Sequence, residues 1–446
     1  MVFHADAIVR KSRETARIPL KKGIVAPQPQ NKTPLREDIC NMPRSLEGIR
    51  VIDLSHVLAA PTTTMILADL GAEVIHIEPP HGDDAREFGP FAGEVDKNLS
   101  GYFISLNRNK KGIVLNLKHQ KAKDILMEMI KKADVVIENF RPTTMKKMGL
   151  HFEDLKKVNP GIIYCSICGF GHDSLPEYAE RPSYDMVAQA YSGLMSITGP
   201  EGGPPCRVGS SVGDIISGMQ AAIGILAAIR YREKTGRGQH VDISMIDSLF
   251  STLENAVVRF TLKGEIPGPL GGIHPSITPF QGYKTKDGTH IIAAIGTDAL
   301  FVRYAKVIGK PELLEDERFK TNPARTKNRK ALNEILDPIM ATKTTAEWEV
   351  LFEKEGLPYS PINNVKEICE DPHIAYRKML VEIDQPRVGK MRISNSPIKM
   401  TETPGEVYAP APLLGQHTDE VLKALLGYSD ETIAQLKKEG IINNSY

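Results

Sequence analysis

From Gly48 onward, short apolar runs alternate with amphipathic stretches at regular spacing. Ile49–Leu54 is a compact apolar run, the Ser-His-Val-Leu-Ala-Ala-Pro segment (55–61) is a loop, and helical periodicity covers about 62–70. Gly71 punctuates that helix and a second apolar run follows over 72–78. Strand, helix, strand at this spacing is a βαβ unit, which needs a parallel sheet with helices on its faces. The pattern continues with a strand at 113–117, a helix at 120–133, a strand at 134–139, short helices within 142–158 and a strand at 161–168. A helix over 184–197, a long one opened by Gly213-Asp214, a strand at 239–243 and a helix over 244–262 complete a large α/β unit.

Gly and Pro then crowd residues 265–272, marking a linker or loop. Beyond it lies a smaller α+β unit: two runs flanking Lys286-Asp287-Gly288 predict a hairpin, and helical patterns fall near 298–308, 325–341, 344–356 and 363–370. Residues 379–394 predict another hairpin, and two terminal helices follow Pro412-Leu-Leu-Gly-Gln-His417. The expected divisions are an arm at 1–45, the large domain at 46–262, a linker at 263–280, the small domain at 281–375, and a closing stretch at 376–446.

A chain of 446 residues exceeds one typical core, consistent with two units. The near-balance of 56 basic and 55 acidic residues gives no reason to expect a nucleic-acid partner. No apolar run approaches the roughly 18 residues that span a bilayer, so no membrane partner is expected. Five scattered cysteines do not make a disulfide framework, and a reducing, cytoplasmic compartment fits them. The arm at 1–45 carries nine Lys and Arg and no apolar core of a secretory signal. It reads as a surface arm; were it a transit peptide, the mitochondrial matrix would be the destination.

Several chemistries lack their signatures. Cys165 and Cys168 form a Cys-x-x-Cys inside a strand, with no second pair to complete a zinc set, and read as core thiols. Asp53, Glu78 and Asp242 sit at strand ends without a ligand cluster, so no metal is expected. Gly-x-Ser-x-Gly, Walker A and Gly-x-Gly-x-x-Gly patterns are missing. In the first βα loop, Ala59-Ala60-Pro61 still permits close backbone approach and a helix start aimed at an anion. His56 in that loop is either a donor to such a ligand or a turn residue.

Three basic segments fall near strand ends: Asn107-Arg108-Asn109-Lys110-Lys111, then Lys118, then Arg141 with Lys146 and Lys147. Together they would suit a ligand with several phosphates. Asp214 follows Gly213 at the start of a long helix, where an Asp is ordinarily a cap. Small residues at Gly209, Ser210, Ser211, Gly213, Ser217 and Gly218 surround it, and smallness costs packing. Space cleared for a substrate explains them, and makes Asp214 the candidate nucleophile.

The sequence resembles the type III CoA-transferases (the CaiB/BaiF family), which include formyl-CoA, carnitine and succinate-hydroxymethylglutarate CoA-transferases. The landmarks are Leu46-Glu-Gly-Ile-Arg-Val-Ile-Asp53, Asp69-Leu-Gly-Ala-Glu-Val74, Asn107-Arg-Asn-Lys-Lys111, Asp134-Val-Val-Ile-Glu-Asn-Phe140, Lys234-Thr-Gly-Arg-Gly-Gln239 and Pro412-Leu-Leu-Gly-Gln-His-Thr418. The resemblance implies an interlocked homodimer, each chain with a large Rossmann-like domain completed by the C-terminal tail, and a small middle domain. It places the catalytic aspartate at Asp214, with coenzyme A entering as acyl-CoA and a carboxylic acid as acceptor. It maps CoA contacts onto His56, Leu58, Ala59, Leu115, Lys118, Asn139, Phe140, Arg141 and Lys147, and the acyl-side loop onto Tyr184 and Asp185. Arg108 and Lys111 join the CoA set through the basic segment they belong to. Pro79 replaces an arginine of formyl-CoA transferase, so adenosine recognition would pass to His81 or Arg86. Gly271-Gly272 stands for that enzyme's longer glycine run, which disfavours oxalate as acceptor.

Oxyanions along such a path call for donors, expected from backbone N–H groups near Gly213 and the start of its helix. A second carboxylate on the substrate could be held by Arg207 or His274. Two alternatives remain. An α-methylacyl-CoA racemase of the same fold would want a histidine where Tyr184 stands, and a non-catalytic CoA-binding protein would not need Asp214.

Overall fold

The computed structural model describes residues 44–443 apart from 94, 95 and 97. The basic arm, up to residue 43, lies outside the described residues. Six parallel strands form the main sheet: β1 (Arg50–Asp53), β2 (Glu73–Glu78), β3 (Lys111–Val114), β4 (Val135–Glu138), β5 (Ile163–Cys168) and β6 (His240–Ser244). Their order is β3-β2-β1-β4-β5-β6, the order of doubly wound dinucleotide-binding folds. The chain leaves β1 and β4 in opposite directions, which opens a crevice at their carboxyl ends.

Both faces of the sheet are covered, which is why its central strands are apolar without alternation. Ile52, Ile75, Ile113 and Val136 face a core shared with helix α3 (Gln120–Ile130). Val51, Val74, Val135 and Ile137 face the other, against α1 (Ala59–Asp69) and α7 (Val212–Thr235). Helix α7 lies on α1 so closely that a Cβ at Gly218 would sit 2.5 Å from the Ala59 carbonyl oxygen and 2.9 Å from Thr62 Cβ. Thr63 Oγ1 donates to the Gly218 carbonyl at 2.9 Å. Among the described residues α7 is the one helix whose length and composition would allow it to cross a membrane, a departure from the sequence expectation. Part of its apolarity has a packing cause: Ala221, Ile225, Ala228 and Ile229 are buried in the core beneath it, whereas Met219, Ile223 and Leu226 are exposed.

The C-terminal segment returns to the open edge of β3. His417 donates its N–H to the Gly112 carbonyl (2.9 Å) and accepts the Gly112 N–H at Nδ1 (3.1 Å), while Thr418 Oγ1 accepts from Val114. Leu422, Ile433 and Leu436 then enter the α3-side core. Residues 280–361 form a three-stranded antiparallel sheet, β7 (Phe280–Lys284), β8 (His290–Ala294) and β9 (Tyr359–Pro361), around a core of their own including Phe301, Tyr304, Trp348 and Phe352. The hairpin of β10 (Leu380–Gln385) and β11 (Gly389–Ser394) packs Ile383 and Ile393 with Ala85 and Phe103.

Two predicted helices break. The one over 244–262 divides into α8 (Met245–Phe250), a 3₁₀ turn and α9 (Asn255–Lys263), because Glu254 adopts φ +51°. The one over 184–197 ends as α6 (Asp185–Tyr191), before Gly193 at φ +91°. Helix α2 (Gly101–Leu106) carried too short a pattern to be legible; Ser100 caps it by accepting the Phe103 N–H.

Candidate active site

At the crevice between β1 and β4 the two loops lock together. Asn139 Oδ1 accepts the His56 N–H at 2.9 Å, and Asn139 Nδ2 donates to the His56 carbonyl at 2.8 Å. The His56 and Phe140 rings pack 5.2 Å apart. Val57 is a β-branched residue at φ +66°, a strained backbone, and it is held there by Asp83, whose carboxylate accepts its N–H. Two chambers open on either side of this junction and share His56, Phe140 and Thr144.

The inner chamber has a volume of about 370 Å³. The start of α1 (Leu58, Ala59), Asn139 to Arg141, the Cys168–Phe170 turn, Tyr178 to Tyr184, and Asp214 line it. No side chain caps α1, whose first turn faces this space. The outer chamber, about 850 Å³, is lined by Glu78 to Asp84 after β2 and by Leu115 to Lys118 after β3.

Asp214 lies in the first turn of α7. Burial, with the charge of Asp185 adding to it, pushes its carboxyl up to about 7. Asp185 is buried behind it, accepting two bonds from Gln189 Nε2 (2.8 and 3.0 Å) and the Gly213 N–H at 2.8 Å. That last bond corrects two expectations. The Gly213 N–H is committed to Asp185, so it is no free donor for an oxyanion. Gly213 is small because a Cβ there would meet Asp185 Oδ1 at 3.0 Å, and Gly218 because α1 lies against it, so neither clears space for a substrate.

The raised pKa has a direct consequence for rate. Were Asp214 the attacking group, activity would fall as pH drops below about 7, because a carboxylate attacks only when ionised. Asp185→Asn keeps an oxygen for the Gly213 N–H but removes the like charge. Its acid limb in a kcat/KM–pH profile should move down by about one pH unit; an unmoved limb would show that Asp185 does not act on Asp214 through charge.

Sequence reasoning missed Tyr102 of α2. Burial, then the negative charges of Asp214, Asp83 and Asp185, push its phenol up to about 12. That places the ring in the field of the inner chamber's carboxylates. No motif marks it, because α2 itself is too short to read.

The basic residues divide. Lys118 lines the outer chamber and Arg141 the inner one, at the carboxyl edge of the sheet. Arg108 and Lys111 do not join them. They flank the amino end of β3, where Arg108 is buried against Asp69 (Nη2–Oδ2 2.7 Å) and Lys111 pairs with Glu73 and Glu420. Lys110 is buried beside Asp53 at 3.3 Å. A basic run that crosses into a parallel strand starts at the edge opposite the ligand crevice, which is why spacing alone misassigned it. Lys147 is exposed on α4 (Pro142–Met148) and lines neither chamber.

Tyr184 lines the inner chamber and is 74% exposed. Arg86 is buried in a bidentate pair with Glu78 (2.6 and 2.7 Å), so it is structural, whereas His81 lines the outer chamber. Arg207 folds back on the Val208 and Gly209 carbonyls, and His274 bonds within its own loop to Ser276 and Phe280; neither lines the inner chamber. Among the described residues no group of three His, Cys, Asp or Glu side chains is arranged to hold a metal ion.

A carboxylate at a helix start thus lines a two-chambered crevice at the carboxyl edge of a doubly wound sheet, the edge at which such sheets bind ligands. Residues 46–418 match the family described as CoA-transferase family III. The chain is 39% identical to human succinyl-CoA:glutarate CoA-transferase over 402 residues, 90% of each chain. It is 39% identical to the succinyl-CoA:mesaconate CoA-transferase of Haloarcula marismortui, over 85% of this chain and 96% of that one. It is 41% identical to an acetyl-CoA:oxalate CoA-transferase of Acetobacter aceti, over 80% of this chain and 89% of that one. A solved CaiB/BaiF family protein from Brucella suis superposes with a TM-score of 0.75 at 35% identity, covering 86% of this chain and 99% of that one. The chain belongs to CoA-transferase family III, and is a CoA-transferase.

Proposed function

We propose that the protein moves CoA from a dicarboxylic acyl-CoA to a second short dicarboxylic acid, with Asp214 as the covalent carrier. One juxtaposition carries the proposal: Asp214 and the uncapped start of α1 line one small chamber, which adjoins a larger one ending at Lys118. The larger chamber suits the nucleotide end of CoA, and Lys118 its phosphates. His56, Leu58, Ala59, Leu115, Asn139, Phe140 and Arg141 would hold the rest, with Tyr184 beside the acyl group.

In this reading the Asp214 carboxylate attacks the thioester carbonyl and CoA leaves as the thiolate, giving an acyl-aspartyl anhydride. The thiolate then attacks the aspartyl carbonyl and releases the donor acid, leaving an aspartyl-CoA thioester. The acceptor acid reverses both steps. Anhydride and thioester are both activated acyl groups, so the exchange needs no external energy source. In this reading Ala59 and Ala60 supply the backbone N–H donors for the oxyanion in place of Gly213, since Pro61 has none and the Thr62 N–H is taken by the Leu58 carbonyl. Dicarboxylic substrates are proposed because two of the named relatives pair succinyl-CoA with glutarate or mesaconate, while the third pairs acetyl-CoA with the dicarboxylate oxalate.

A homodimer belongs to the same proposal. It is supported by exposed Met219, Ile223 and Leu226 on α7 and Val258, Phe260 and Leu262 on α9, apolar area that a monomer would leave in water. The test is mass spectrometry after incubation with succinyl-CoA and other acyl-CoAs, followed by hydroxylamine. A CoA-sized adduct, or a hydroxamate on the peptide holding Asp214, is the expected result. No adduct from any donor, with deuterium entering the acyl α-carbon in heavy water, would replace transfer by racemisation.

A further inference from the structure

Beneath the junction of the two chambers lies a buried polar group that the proposed chemistry does not use. Glu138 is the last residue of β4, and its side chain is wholly buried. Its Oε2 accepts the Phe140 N–H at 2.7 Å and its Oε1 accepts the Tyr164 hydroxyl at 2.9 Å. His172 Nε2 lies 3.4 Å from Oε1, off the direction of a hydrogen bond, and among the described residues neither nitrogen of its buried ring has a hydrogen-bond partner. A carboxyl that ties down the Phe140 peptide also fixes Asn139, and Asn139 in turn fixes the His56 loop through its paired bonds.

We propose that Glu138 is a positioning residue for the acyl-CoA cleft, its buried carboxyl fixing the Asn139–Phe140 turn on which both chambers close. The proposal rests on the reading of these chambers as the CoA site.

The surroundings set the protonation state in which it does so. Burial first, then the charge of Asp242 on β6, pushes Glu138 up to about 8, against the opposing bonds from Phe140 and Tyr164. Tyr164 faces it from β5, His172 from the turn after β5, and the thiols of Cys165 and Cys168 are also within its field. Asp242 is itself satisfied, accepting N–H bonds from His172 and Asp173. Among the described residues no cation offsets Glu138: burial depresses His172, to about 4, and also His151 and His240 behind it. The charge of Lys146, felt by all three rings, acts to keep them neutral. Glu138 is therefore a neutral acid at pH 7. Raising the pH through about 8 would put a buried negative charge beneath a cleft that must hold a polyanion.

Calorimetric titration of CoA into the full chain tests this, with wild type, Glu138→Gln and Glu138→Ala at about pH 6.5 and about pH 9. Glutamine imitates the neutral acid, accepting from Phe140 and donating toward Tyr164 or His172, so at the lower pH it should bind within about twofold of wild type. Alanine should bind roughly tenfold more weakly, since Phe140 loses a buried acceptor. Between the two pH values wild type should lose about three- to tenfold more affinity than the glutamine variant. Superposed pH profiles for wild type and Glu138→Gln would overturn the proposal, even if the alanine variant failed to fold. A wild type that binds no CoA would overturn the reading of the chambers, and this inference with it. Binding with no effect of either substitution would overturn Glu138 alone.

Discussion

Asp214→Asn is expected to lower kcat by at least about 10⁴-fold, because an amide cannot form the anhydride and, among the described residues, no other carboxylate lines the inner chamber. Cys168 is the one thiol in that wall, and burial pushes it up to about 12. The same substitution should leave the fold intact or slightly tighter. Asp214 ionises at about 7 in the folded chain but near its ordinary value when unfolded. Folding therefore withholds a proton release the unfolded chain enjoys, and stability is lost as pH rises from about 4 to 7. An uncharged side chain removes that loss, and relieves repulsion from Asp185. Transfer followed by chromatography of the CoA products, alongside thermal melts at about pH 5 and about pH 8, checks both halves. Residual transfer within about tenfold of wild type would eliminate Asp214 as the carrier.

The second large effect concerns stability. Arg86 makes a bidentate pair with Glu78, donates to the Pro412 carbonyl at 3.1 Å, and lies 3.5 Å from the centre of the Phe103 ring. Both partners of the pair are at most 1% exposed. Arg86→Met keeps most of the volume but strands the Glu78 carboxylate, at a cost of about 3–5 kcal/mol. Adding Glu78→Gln should recover much of it, since a neutral amide in the same place carries no unpaired charge. Denaturant unfolding of the two single variants and the double measures the coupling. If the double variant were no more stable than Arg86→Met alone, the loss would lie with Phe103 and Pro412 rather than with the ion pair.

Much of the architecture was legible in the chain because its signals are local. A parallel sheet covered on both faces forces runs such as Val135-Val136-Ile137 to be apolar throughout, and the βα spacing around Gly71 leaves little else possible. Asp214 and the loop at His56 were singled out both from the residues around them and by resemblance, and both line the inner chamber. What was not legible depends on neighbours distant in sequence. Arg108 and Lys118 look alike as basic residues near a strand. Only the direction of β3 separates one paired with Asp69 from one at the outer chamber. The small residues around Asp214 suggest an approach path for substrate, yet Gly218 serves α1 and Gly213 serves Asp185. Glu138 reads as an ordinary strand-end acid; its burial follows from Tyr164 and His172, contributed by another strand and the turn after it.

The return of the C-terminal segment sets the timetable of synthesis. Arg86 and the Pro412 carbonyl it needs are 326 positions apart. At translation rates of 5–20 residues per second, the newly made β2–β3 region waits roughly 15–65 s for that partner. Throughout the interval the edge of β3 lacks His417 and Thr418, and presents unpaired backbone to any passing strand. The ribosome thus delivers β3 early and the segment that covers its edge last, so a chain truncated before His417 is expected to associate through that edge.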